Sequence, residues 1–150
     1  GYDTGGTKNY LILKEGATNF GQSVIQESYH HDSGGGIQSN YNHDIMTYGD
    51  VFYGVTNAVA NFTFNVRGNS TNTYDSLLGL FKVSTITAYI TANGKYMTEF
   101  RIDGTAQTVK WADGSAPTGG SASGVDVYSF TIMKNTTDTY TVFGNVTNFA

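Results

Sequence analysis

Alternation of apolar and polar residues at every second position constrains this chain more than any other feature. From Val59 to Val66, Ala60, Phe62, Phe64 and Val66 fall on one side, with Asn61, Thr63 and Asn65 on the other. Val83 to Thr91 repeats the pattern, setting Ile86, Ala88 and Ile90 against Thr85, Thr87 and Thr91. A half-buried strand sorts such a sequence onto two faces; a helix scatters it around its circumference. Lys95 to Ile102 continues in the same way, with Tyr96, Phe100 and Ile102 opposite Glu99 and Arg101. Asn93-Gly94 stands between these last two segments and predicts a hairpin, because a type I′ turn needs φ > 0 at both central residues. Asp103-Gly104 then turns the chain into a strand from Thr108 to Trp111, and Val125–Met133 and Thr139–Val146 form a final pair joined by Asn135 to Asp138.

The first part is less regular. Tyr10–Lys14 and Ser23–Tyr29 read as strands, Ile37–Tyr41 and Val51–Tyr53 as short ones, and Tyr74–Phe81 is the one helical candidate. Between His30 and Asp50 a polar, aromatic stretch with Gly34-Gly35-Gly36 at its middle predicts an adaptable loop that reaches a neighbouring subunit or a receptor. The expectation is one all-β domain over residues 1–150: an irregular part to residue 55, then an antiparallel β-sandwich or jelly-roll from 56 to 150. About seven to ten short strands fit that length.

Composition narrows the function. Only 13% of the 150 residues are charged, and Tyr, Thr, Asn and Gly are abundant, which suits strands and turns better than disorder. The net charge is −4 and the eight basic residues are scattered, so no nucleic-acid footprint is expected. No apolar run is long enough for a membrane helix. With no Cys, stability has to come from packing or from association with further copies. The chain opens on Gly1 rather than Met, as a processed or truncated chain would.

Candidate chemistry is sparse. All three histidines fall in His30-His31-Asp32 and His43-Asp44, imidazole and carboxylate donors suited to a transition metal or Ca²⁺. Adjacent histidines on a strand point to opposite faces, however, and the spacing matches no established ligand pattern, so the favoured expectation is a solvated loop whose Asp residues cap turns. Asp103 and Asp113 precede Gly and are accounted for by turns, while Asp126, alternating with Val125 and Val127, reads as solvent-facing. No nucleophile elbow, phosphate loop or zinc-protease motif is found, so no catalytic residue and no cofactor are expected. Trp111, with Tyr89, Tyr96, Tyr128 and Tyr140, offers an aromatic platform for a sugar ring, and Tyr29, Tyr41 and Tyr48 offer further glycan or receptor contacts. The competing expectation buries Trp111 in the core beside Pro117. Four Asn-x-Ser/Thr sequons, at Asn61, Asn69, Asn135 and Asn145, follow from the abundance of Asn and Thr.

Asp103-Gly104, Thr108-Val109-Lys110-Trp111, Gly114-Ser115-Ala116-Pro117-Thr118, Val125-Asp126-Val127-Tyr128-Ser129-Phe130 and the closing Tyr140-Thr141-Val142-Phe143-Gly144 together resemble a module of tailed-bacteriophage virion proteins. The resemblance is to tail-fibre and related structural proteins, especially of phages with marine and cyanobacterial hosts, and covers Asn61 to Ala150. It implies a non-enzymatic component of the virion surface, a tail fibre first and a capsid decoration next, assembled as a homotrimer with other virion proteins, with a host glycan as a candidate further partner. A carbohydrate- or receptor-binding module and the subunit of an extracellular filament are the alternatives.

Overall fold

The computed structural model describes residues 28–149, and among them the protein is built almost wholly of strands. The expected strand at Tyr10–Lys14 and most of the one at Ser23–Tyr29 lie outside the described residues. The chain runs through β1 (His30–Asp32), β2 (Asn40–Asp44), a four-residue helix α1 (Ile45–Tyr48), β3 (Val51–Gly54), β4 (Phe62–Arg67), β5 (Val83–Thr91) and β6 (Met97–Ile102). It continues through β7 (Thr105–Ala106), β8 (Val109–Trp111), β9 (Val125–Thr136) and β10 (Thr139–Phe149).

These strands form two mixed sheets, not antiparallel ones. A six-stranded sheet has the order β1-β3-β5-β9-β10-β8, and a four-stranded sheet the order β2-β4-β6-β7. The first six strands therefore alternate between the sheets, and in each sheet they stack in parallel. Among the described residues the chain winds three times, placing one strand in each sheet per winding. Residue types line up along the stack: Tyr41, Phe64 and Phe100 form one row, and Asn42 and Asn65 another, joined by a 2.8 Å side-chain hydrogen bond. Antiparallel pairing enters the four-stranded sheet with β7 and the six-stranded sheet with β9, which lies between β5 and β10, and β8 pairs in parallel with β10.

The inward faces of the two sheets meet in one core. Phe100 of β6 stacks on Phe130 of β9 at 4.0 Å, Phe52 of β3 packs on Phe64 of β4, and Phe62 meets Tyr128 edge-on. Each such ring, removed from water, contributes about 1.5–3 kcal/mol. Tyr128 is fully buried, and its hydroxyl accepts the Met97 N–H at 3.1 Å; burial pushes its pKa up to about 12.

Several expectations are corrected. Asn93 and Gly94 do adopt positive φ, 51° and 77°, with Lys95 N–H donating to Ala92 O. The turn joins the two sheets, however; β5 and β6 are not hairpin partners. Asp103-Gly104 makes the true two-residue hairpin, between β6 and β7, and Trp111 belongs to β8 in the other sheet. Tyr74–Phe81 forms turns, not a helix. The stretch from His30 to Asp50, expected as a loop, holds two paired strands and the helix, because Ile37 and His43 are buried there and anchor it to the core.

Candidate functional site

The outward face of the six-stranded sheet gathers the side chains that the fold leaves unspent. Its composition follows from parity on β9. Asp126 shares its face with Tyr128, Phe130 and Ile132, so Asp126 points inward and is fully buried, while Val125 and Val127 face out. This reverses the expectation of a solvent-facing Asp126. The carboxylate is satisfied locally, accepting the Ser121 N–H at 3.0 Å and an Asn148 side-chain N–H at 2.7 Å.

Across the strands, outward residues register as rows. His31, Tyr53, Tyr89, Val127 and Thr147 lie side by side on β1, β3, β5, β9 and β10. The Tyr53 and Tyr89 rings meet edge-on at 6.1 Å, and His31 meets Tyr53 edge-on at 6.2 Å and Tyr29 at 6.1 Å. Beside this row Tyr29, Val125 and Phe149 complete a groove of about 500 Å³. Tyr29 and Tyr89 were legible as candidate contacts. Tyr53, Val127 and Phe149 were missed, since only the strand order brings them beside the two tyrosines.

The remaining candidates are dispersed. Trp111 is half-buried and turned inward, edge-on to Phe130 at 5.8 Å; it is neither a surface platform nor a fully enclosed anchor. It lies over Gly144, where a Cβ would come 2.5 Å from Val109 Cγ1 and 3.1 Å from the indole, so the absent side chain is what lets β8 pack. Tyr128 is core. Tyr140 donates to Asp75 Oδ1 at 2.8 Å, and burial together with that carboxylate raises its pKa. Tyr96 is half-buried near the turn that links the sheets. Trp111, Tyr128 and Tyr140 all lie on the inward face of the six-stranded sheet, packed in or against the core, so they offer no flat platform to a ligand.

The His/Asp group is also split. His30 and His31 point to opposite sides of β1: His31 joins the outer row, and His30 stacks on Tyr48 at 3.7 Å and contacts the Tyr41 hydroxyl at 3.2 Å. His43 is fully buried, and its Nε2–H donates to Gly49 O at 2.8 Å. Its Nδ1 has no partner, and burial lowers its pKa below the usual value of 6.5. Asp44 pairs with Arg67, Nε to Oδ1 at 2.5 Å, and Asp32 accepts the Gly34 N–H. Among the described residues no three metal-binding side chains converge. Tyr41 packs against Phe52 and Phe64, and burial raises the pKa of its hydroxyl.

Other carboxylates hold the scaffold together. Asp103 accepts the N–H groups of Tyr74 and Asp75, at 2.7 and 3.0 Å. Burial disfavours ionisation of Asp75, but hydrogen bonds from Lys134, the Asp138 N–H and Tyr140, with the Lys134 charge, hold its carboxyl below the usual range. Lys134, itself buried, reaches Asp75 Oδ1 at 2.7 Å. Set beside known proteins, the chain matches no family, no curated protein and no solved structure.

Proposed function

We propose that this chain is a non-enzymatic structural module of a tailed-phage particle, a β-sandwich of two mixed sheets that works by assembling with copies of itself. The tail fibre is the favoured location and a capsid decoration the next. The observation that carries a scaffold role is the employment of the acidic side chains. Asp44 holds Arg67, Asp75 holds Lys134 and Tyr140, Asp103 holds two backbone amides, and Asp126 holds Ser121 and Asn148. Acid–base chemistry needs carboxylates turned toward a substrate cleft; these tie strands and loops to one another. The phage assignment rests on the resemblance of Asn61 to Ala150 to virion modules, and the homotrimer comes from the same source.

Labelling intact particles with an antibody to this chain, followed by electron microscopy, tests the assignment. Label on fibres or on the capsid exterior is the expected result, and its absence from particles overturns it. A second reading, a glycan-binding module, draws on the groove of Tyr29, Tyr53 and Tyr89, whose rings offer flat faces to a saccharide. Specific retention on a glycan array by the monomeric chain would favour it.

A further inference from the structure

We propose that the outward face of the six-stranded sheet is the surface on which a second copy of this chain docks; this deepens the self-assembly reading above and rests on it. The face is wide and almost without charge. Every outward strand position of β3, β5, β9 and β10 is uncharged. Among the described residues Lys110 on β8 brings the one permanent charge at an outward strand position, its ammonium 5.5 Å from the centre of the Phe143 ring, while Asp50 borders the face beside Val51.

Apolar exposure is concentrated on the same face. Tyr29, Val83, Tyr89, Met133, Phe143 and Phe149 are each at least 39% exposed and all belong to this face or its rim. Single exposed apolar residues are ordinary, but a contiguous set marks an interaction surface.

Two arguments favour another copy of the chain as occupant. The first is charge. Among the described residues no outward strand position of this sheet is acidic, so two such faces meet without setting carboxylates against each other. The second is area. Strands of 9, 12 and 11 residues form the centre of the face. At about 3.3 Å per residue and about 4.8 Å per strand, those three strands offer roughly 500 Å² and all six strands of the sheet roughly 650 Å². Standard interfaces take about 600–1,000 Å² from each partner. Sheets packed face to face in this way interleave their outward side chains, as inner faces do within a domain.

Sedimentation of the full chain and of three variants tests this. Val127→Lys and Thr147→Lys place a charge in the central row, and Val59→Lys places one on a residue 51% exposed in the segment before β4. The expected result is an oligomer for the parent chain and for Val59→Lys, with association weakened at least about tenfold by either central charge. Far-UV spectra should be unchanged for the exposed Thr147→Lys, which separates loss of docking from loss of fold. If the parent associates and both central variants associate equally well, copies meet through another surface; the docking proposal falls and self-assembly stands. If the parent is monomeric throughout, both fall. A parent that stays monomeric and binds a glycan lost in Thr147→Lys would assign the face to a saccharide instead.

Discussion

His43 sits in the core with one ring nitrogen bonded to Gly49 O and the other bare. Burial favours its neutral form, so its folded pKa lies below 6.5. Below pH 6.5 the unfolded chain therefore binds a proton that the folded chain refuses. Stability should fall as pH drops through that value, by up to about 1.4 kcal/mol per pH unit, and level off once folded His43 itself protonates. Urea titrations of the parent and of His43→Leu between pH 5 and 7.5 check this, with the slope reduced in the variant. Gly144 makes a second residue-scale test. A methyl group there meets Val109 and Trp111, so Gly144→Ala should cost about 1–3 kcal/mol and perturb the emission of the sole Trp. Asp126 shows where residue-scale reading failed. Flanking valines suggest an outward Asp, but the inward set is fixed by Tyr128, Phe130 and Ile132 farther along, and a one-position change of parity exchanges the faces.

At the scale of elements, strand existence was legible, and so was the final antiparallel pair β9–β10, but the other strand partnerships were not. β5 matches its expected span, and β4 and β6 match their cores, because alternation is a property of each strand alone. Alternation says nothing about direction. A strand facing one core reads the same whether its neighbour runs parallel or antiparallel. Asn93-Gly94 has the conformation its residues demand, yet it links two sheets, since a tight turn fixes local geometry and not what the emerging strand pairs with. The winding escaped notice because its repeats are unequal. Asn42 and Asn65 meet across 23 residues, whereas Thr98 reaches Phe62 O across 36. Asp103 ties these elements together by accepting two amides from the segment before β5. Asp103→Ala should cost about 1.5–3 kcal/mol in chemical denaturation, and Asp103→Asn, which keeps an acceptor oxygen, distinctly less.

For the whole molecule, the candidate surface was legible only in part. Low charge and the absence of Cys pointed to association but not to the surface that carries it. β9 is flanked on both sides, β8 covers the middle of β10, and Asp126 and Lys134 are buried, so the final strand pair presents little free edge at its centre. Among the described residues the broad uncharged surface is the outward face of the six-stranded sheet, while its edge strands β1 and β8 are only three residues long. A face of this kind makes association reversible, salt-insensitive and dependent on concentration, because apolar burial rather than ion pairing drives it. Light scattering of the purified chain over a micromolar concentration range tests this most directly. Self-assembly predicts a mass rising to a fixed multiple of 16.2 kDa, twofold where two such faces close on each other and threefold for the homotrimer that the resemblance implies, with little change at high salt. A monodisperse 16.2 kDa species at every concentration would contradict it.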